Sequence, residues 1–296
     1  MNRLLINPIA GHGFAKRNVD TVKEILKSHG VEFDVVTSEY AGHAVELARE
    51  SARRGDETLF LLGGDGSIIE VSRGLYGSDT ALATIPCGTG NDFRKTLNVP
   101  TDVTEAVKYV LSREPRKVDC AFIKDCSDAE NAETLFMNES GTGFDVAALE
   151  YSVLSKKFLR GLSAYMYGVL RAIISYKAKP VTITLDDGKS FTRKITMLAI
   201  ANGQWMGGGF KIAPEADLYD GLFDIIIIGE LSRMGILKAL PKIMDGRVMQ
   251  LPIAEHFRCR EIHIKGENIS FNIDGELKRI SEAHYRLEKD GVWVRA

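Results

Sequence analysis

The chain is 296 residues long, with 26% charged residues, 45% hydrophobic residues and a formal net charge of -2. These values place it among globular proteins, away from disordered, collagen-like and membrane-spanning classes. A balance so close to neutral also excludes non-specific nucleic-acid binding, which needs a strong cationic field to displace counterions from phosphates.

The length is comfortable for two domains that each bury a core. The apolar run at the start is too short for a signal peptide, and no later stretch stays apolar for the ~20 residues of a membrane span, so a cytoplasmic location is expected. Cys87, Cys120, Cys126 and Cys259 show no Cys-x-x-Cys spacing, which points to reduced thiols and no zinc site.

In chain order, short apolar runs at 3–7, 31–37, 58–62 and 81–86 alternate with helical patterns. The Asp102-x-x-Glu105 capping box opens one helix and Gly30 closes another. Continuous apolar runs such as Thr58-Leu-Phe-Leu-Leu62 predict a parallel sheet covered on both faces. After about residue 120 the rhythm changes. Strand-like runs at 181–186, 190–202, 222–229, 261–265, 269–273 and 285–295 have few helices between them, so a mainly antiparallel β-sandwich is expected. Asp186-Asp187-Gly188-Lys189 predicts a tight hairpin turn. The predicted division is therefore an α/β domain over 1–120 and a β domain over 121–296.

Three loops fall at strand ends in the first half. Leu62-Gly63-Gly64-Asp65-Gly66-Ser67 follows a buried strand and precedes a helix over 68–75, which puts it at the carboxyl edge of the sheet, where open α/β sheets bind ligands. The glycines let backbone amides approach phosphate oxygens at a helix start. Asp65 beside phosphates makes chemical sense with Mg²⁺ between them; the plainer alternative is a Gly-rich turn with Asp65 as a cap. Pro86-Cys87-Gly88-Thr89-Gly90-Asn91-Asp92-Phe93 follows the next strand and brings a hydroxyl from Thr89, an amide from Asn91 and a carboxylate from Asp92 toward the same phosphates. Asn7-Pro8-Ile9-Ala10-Gly11-His12-Gly13 lacks the third glycine of a dinucleotide fingerprint, and no P-loop signature occurs anywhere.

Together these motifs resemble the diacylglycerol kinase catalytic family, which includes sphingosine kinases and bacterial lipid kinases. The resemblance continues through Thr37 with Gly42-His43-Ala44, Gly143-Phe144-Asp145, Pro214-x-Ala216, Asp220-Gly221 and Asp274-Gly275-Glu276, nearly the whole chain. It implies an ATP-dependent phosphotransferase acting on a membrane lipid. It implies that the nucleotide lies in the cleft between the domains, surrounded by Asn7, Pro8, Ile9, Ala10, Gly11, Thr37, Gly63, Gly64, Asp65, Gly66, Ser67, Ile68, Ile69 and Thr89. Asp65 would serve phosphates and metal, and Glu276 would act as general base toward the lipid hydroxyl. From the residues alone, Asp274-Gly275-Glu276 is equally a good turn. The resemblance also implies a structural Mg²⁺ held by the Asp220 carboxylate and the carbonyls of Asp217 and Leu222, whereas spacing alone favours a polar turn. Ile69 departs from the pattern, standing where many relatives carry Asn.

A lipid kinase must draw its substrate from a bilayer. Residues 151–180 hold six Lys or Arg and no Asp or Glu, with Leu154, Phe158, Leu162, Tyr165, Met166, Val169 and Ile173 recurring at helical spacing. Such a stripe suits either an interfacial helix or a core-packing one. Residues 232–249 are a second cationic, apolar segment, and Trp205-Met206-Gly207-Gly208-Gly209-Phe210 is a candidate flap over an acyl chain. The expected partners are a lipid substrate and a membrane surface contacted peripherally, with no nucleic acid. The lipid's identity and the oligomeric state, a homodimer included, stay open. The competing expectations are an NAD kinase-like enzyme, suggested by Gly-Gly-Asp-Gly and Asn138-Glu139, and a nucleotide-responsive protein without turnover.

Overall fold

The computed structural model describes residues 1–127, 132–155, 159 and 162–296. The chain divides into two compact units. One comprises Met1–Cys120 with Leu218–Asp220 and Glu288–Ala296; the other comprises Ala121–Asp217 and Gly221–Leu287. The second unit therefore differs from a continuous 121–296 segment, because two short stretches return to the first.

In the first unit, strands β1 (Asn2–Ile6), β2 (Phe33–Thr37), β3 (Thr58–Gly63) and β4 (Ala81–Pro86) are all parallel, in the order β2-β1-β3-β4. Every residue of β3 and β4 is buried. That explains why their sequences are continuously apolar: helices cover both faces. The helices are α1 (Ala10–Arg17), α2 (Val19–Ser28), α3 (His43–Arg54), α4 (Asp65–Leu75), α5 (Asp92–Thr96) and α6 (Val103–Leu111). Asp102 caps α6 by accepting from the Glu105 N–H at 3.0 Å, the bond its spacing predicts. Arg3 is the one basic side chain buried in β1, and Glu50 at 3.1 Å and Asp56 at 3.7 Å balance its charge.

The second unit is built from β5 (Arg116–Asp125), shared with the first, then β6 (Glu133–Phe136), β7 (Glu139–Gly143), α7 (Phe144–Ser155), α8 (Leu162–Ser175), β8 (Lys179–Leu185) and β9 (Ser190–Ala201). It continues with β10 (Phe223–Gly229), α9 (Arg233–Met244), β11 (Ala254–Cys259), β12 (Glu261–Lys265), β13 (Ser270–Ile273), β14 (Glu276–Arg279) and β15 (Glu282–Val294). The pairings of β5 with β6, β7 with β9 and β13, β8 with β9 and β12, β10 with β9 and β11, β12 with β15, and β13 with β14 are antiparallel. Long β9 makes the sandwich: its first half pairs with β8, and its second half, from Ile195 onward, pairs with β7 and β10. The core between the layers holds Phe136, Phe223, Phe271 and Tyr285, with Tyr285 edge-on to Phe136 at 6.0 Å. The tail of β15 leaves this unit and pairs in parallel with β4, Val294 opposite Leu82.

The tight hairpin expected at 186–189 joins β8 to β9, and two other expectations change. Among the described residues the second half carries three helices, more than its strand-rich rhythm suggested, because α7, α8 and α9 pack their own apolar cluster of Phe144, Ala148, Val169, Ala172, Ile173 and Ile236. The 186–189 hairpin has a single positive φ, at Gly188, with Leu185 accepting from Gly188 and donating to Lys189; the Asp186 carboxylate is drawn to the Arg260 N–H at 2.6 Å. The 205–210 segment is a closed turn, not a flap. Met206 and Phe210 exchange backbone hydrogen bonds at 2.9 and 3.0 Å, and buried Met206 belongs to a core cluster.

Candidate active site

The carboxyl ends of β1, β2, β3 and β4 deliver four loops to one cavity of about 500 Å³, a normal size for a small-molecule site. Asn7, Pro8, Ile9 and Ala10 line it from the first loop, Gly64, Asp65, Gly66 and Ser67 from the third, and Gly88 and Thr89 from the fourth. The second loop adds Ser38, Glu39, Tyr40 and Ala41, and α4 adds Glu70. The expected Thr37 is exposed on β2 and does not line the cavity; its neighbour Ser38 does, because alternate strand residues point to opposite faces. Ser38 to Ala41 lie between Thr37 and Gly42-His43-Ala44, and their place inside that segment was the available signal.

Glycine is required where the loops meet. A Cβ on Gly64 would stand 2.8 Å from the Gly88 Cα, and a Cβ on Gly11 would stand 2.1 Å from the Cys87 carbonyl oxygen. Gly11 and Gly63 thus support the cavity from behind rather than line it. Asn7 donates to the Ser67 hydroxyl at 2.8 Å and accepts from the Ile9 N–H at 3.3 Å, tying the first loop to the third. Asn91, at φ 49, accepts from the Gly88 N–H at 2.9 Å and donates to the Gly88 carbonyl at 2.8 Å. Its amide closes the fourth loop on itself instead of facing the cavity. Ile68 and Ile69 are buried in α4 at 2% and 5% exposure, so their side chains are core; Glu70 is the residue of that turn that reaches the cavity.

Asp65 opens α4, whose first turn leaves backbone N–H groups without helical partners, a favourable setting for anions. Its carboxylate accepts from the Phe93 N–H at 3.2 Å. Burial pushes the Asp65 carboxyl up to about 6, and the neighbouring Asp92 adds to the rise, while the Phe93 and Asp92 amides and Lys95 pull it back. Asp92 itself does not line the cavity; it is buried and paired with Lys95 at 2.7 Å. The described lining residues include three carboxylates, Glu39, Asp65 and Glu70, and no Lys or Arg. A polyphosphate enters such a site only with a cation to offset the repulsion, so the donor set fits Mg²⁺ brought with the nucleotide.

Of the other predicted residues, Glu276, Asp217 and Leu222 belong to the second unit and Asp220 to the first. Asp274 and Gly275, at φ 47 and 94, form a two-residue type I′ turn between Ile273 and Glu276. The Asp274 carboxylate accepts from three successive amides, Met137 at 2.7 Å, Asn138 at 3.1 Å and Glu139 at 2.8 Å. The turn is thus pinned, and Glu276 follows it as the exposed first residue of β14. Asn138 donates to the Trp205 carbonyl, and Glu139 is buried and accepts from Asn272. The Asn-Glu pair therefore serves the fold. Asp217, Asp220 and Leu222 lie in a turn preceding β10. Among the described residues no group of three or more His, Cys, Asp or Glu could hold a metal, so any ion at this turn would rely on backbone carbonyls and water beside Asp220.

Asp145, at the start of α7, went unremarked as a chemical group. Both carboxylate oxygens are buried and lack a well-formed hydrogen bond. Burial pushes this carboxyl up to about 7, against a smaller opposing pull from the Val146 and Asp145 amides.

Residues 2–123 match the diacylglycerol kinase catalytic domain, and residues 139–290 match the YegS C-terminal NAD kinase beta sandwich-like domain. A protein named "Diacylglycerol kinase" from Bacillus subtilis is 28% identical over 279 residues, covering 93% of this chain and 89% of that one. One named "Probable lipid kinase YegS-like" from Cronobacter sakazakii is 30% identical over 278 residues, covering 89% and 85%. In fold, the chain is similar to a diacylglycerol kinase crystal structure from Bacillus anthracis, with TM-score 0.74, 21% identity and coverage of 99% and 96%. It is also similar to yeast NADH kinase, with TM-score 0.52, 12% identity and coverage of 100% and 83%. With both halves matched in order and relatives aligned over most of each chain, the chain belongs to the family of diacylglycerol kinases and YegS-like lipid kinases.

Proposed function

We propose that this kinase transfers the γ-phosphate of ATP to the free hydroxyl of a membrane lipid, with diacylglycerol as acceptor and phosphatidic acid as product. The observation that carries it is the cavity at the strand ends, where glycine backbones from two loops meet beside the half-buried Asp65 carboxylate and no cationic side chain is among the described lining residues. That is a site for a nucleotide that arrives with its own counter-ion.

Asp65 is the proposed ligand of the nucleotide's Mg²⁺, which, when bound, neutralises charge on the transferring phosphoryl group. The amides at the head of α4 and the Thr89 hydroxyl orient the phosphates, and Asn7 keeps Ser67 in place through its 2.8 Å bond. Asp220 with the Asp217 and Leu222 carbonyls is the proposed cradle of a structural Mg²⁺, all hard oxygen donors. Glu276 is the proposed base. In a loose phosphoryl-transfer transition state, positioning outweighs full deprotonation, so its first task is to hold the acceptor hydroxyl and its second to receive the proton.

Access to the lipid is proposed through the second unit. No helix among the described residues is long and apolar enough to cross a membrane. The stripe expected over 154–173 divides: Val169 and Ile173 are core, Leu154 and Met166 are exposed. Phe158 and the side chains of Leu162 and Tyr165 lie outside the described residues, as do Lys156, Lys157 and Arg160. A different stripe faces outward on α8, with Met166 and Tyr167 leading to Leu170 and Ile174, each of the last two 54% exposed. Met234 and Leu237 are further exposed apolar side chains, on α9. Just beyond Ile174, Lys177, Lys179 and Arg279 rim a cavity of about 310 Å³. Apolar side chains flanked by cations suit shallow insertion into an anionic bilayer.

The deciding experiment is incubation with labelled ATP, Mg²⁺, dispersed lipids and NAD, followed by mass identification of phosphorylated products. Phosphatidic acid is the expected product. Phosphorylated NAD alone would overturn the proposal, and a different phosphorylated lipid would correct the acceptor.

A further inference from the structure

Tyr40 is the one aromatic residue among the described residues lining the strand-end cavity, and it is 56% exposed. Exposed aromatics at loop tips usually move freely, yet this ring is held in place. Its hydroxyl donates to Glu46 at 3.0 Å. Its face lies parallel to the His43 imidazole, with centroids 4.4 Å apart and 1° between planes. Its carbonyl accepts from the His43 N–H at 3.2 Å, and His43 Nδ1 accepts from the Glu39 N–H at 3.1 Å. The loop is anchored in turn to α4, where Glu70 accepts from the Gly42 N–H at 3.0 Å.

Such a construction leaves one face of a fixed aromatic plane open beside the cavity. Ile9, from the first loop, also lines the cavity and is 80% exposed. Two apolar side chains kept at the rim of an otherwise polar and acidic cavity call for a flat, apolar-faced ligand part, separate from the phosphates that the glycine loops suit. We propose that Tyr40, backed by His43, is the stacking platform for the nucleobase, with Ile9 as an apolar neighbour. This rests on the nucleotide assignment of the cavity and adds how the base is recognised: by π-face contact, which any base can make, rather than by edge hydrogen bonds.

The test is calorimetric titration of the full chain with Mg²⁺-ATP and, separately, with Mg²⁺-tripolyphosphate, which has phosphates and no base. Tyr40→Ala is expected to weaken ATP binding about tenfold or more, the scale of losing a base–aromatic stack. It should leave tripolyphosphate binding unchanged, and Tyr40→Phe should restore most of the ATP affinity because the ring remains. Equal ATP affinity in Tyr40→Ala and the parent chain would overturn the platform while leaving the nucleotide site standing. An equal loss for both ligands would also overturn it, marking Tyr40 as a loop brace. A parent chain that binds neither ligand would overturn the platform together with the nucleotide assignment beneath it.

Discussion

A methyl carbon on Gly88 would lie 2.6 Å from the Cα of Gly64, and one on Gly64 would lie 2.8 Å from the Cα of Gly88. Two loops from neighbouring strands therefore touch backbone to backbone, with no flexible side chain to yield. Gly64→Ala should force them apart. The expected cost is about 1–3 kcal/mol of stability, the scale of overpacking, with loss of ATP binding greater than the stability change explains. Denaturant titration beside ATP calorimetry measures both, and ATP affinity at the parental level would show that loop contact does not shape the site.

The Mg²⁺-ligand role proposed for Asp65 predicts an ATP affinity that depends on pH. Its carboxyl sits at about 6 in the ligand-free chain because burial and Asp92 disfavour the charge, whereas Mg²⁺ needs the ionised form. Affinity should be level above about pH 7 and fall by up to about tenfold per pH unit below 6. Asp65→Asn should weaken binding at pH 8 and flatten the profile; the difference between the two profiles removes the titration of ATP itself. Superimposable profiles would take Asp65 out of metal binding.

Asp145 should lower stability at alkaline pH. Its folded-state value of about 7 lies above the ordinary 3.8, so the stability it contributes is full below about pH 4 and is lost as pH rises through 7. Asp145→Asn should raise the melting temperature more at pH 8.5 than at pH 5, with a gain at the higher pH on the order of 1–3 kcal/mol. A gain that does not change with pH would mean that the carboxyl is stabilised by partners in solution.

Glu276→Gln should preserve ATP affinity and reduce turnover by about two orders of magnitude, the usual scale for a general base. Asp274→Asn is a useful companion, because Asp274 pins the turn through three amides; it should reduce both turnover and stability. Normal turnover in Glu276→Gln would remove the residue from the mechanism.

The outward face of α8 gives a separate expectation. Leu170→Glu with Ile174→Glu should reduce sedimentation with phosphatidylglycerol vesicles about tenfold or more, since each exposed side chain would lose apolar insertion and meet like charge. Phosphorylation of a short-chain, water-soluble diacylglycerol should be unaffected. Unchanged vesicle binding would direct attention to another surface.

Much of this molecule was determined by local sequence. Runs such as Thr58-Leu-Phe-Leu-Leu62 are apolar on every residue because both faces of β3 are covered, and Asp102 with Glu105 writes a helix start into four residues. Glycine next to Asp65 at a strand end marked the cavity-lining loops for the same reason: the signal is carried by consecutive residues. What the tertiary structure decided depends on groups distant in the chain. Asn91 was expected to offer its amide to a ligand, yet it closes its own loop because φ 49 turns it back on Gly88. Asp274 engages amides 135 to 137 residues away, and Tyr40 joins the cavity of Asp65 only because β2 and β3 flank β1. The apolar pattern of α8 identified a helix with two uses for its side chains; which of them meet the core and which meet solvent was settled by where α7 and α9 pack, a choice that helical periodicity alone does not encode.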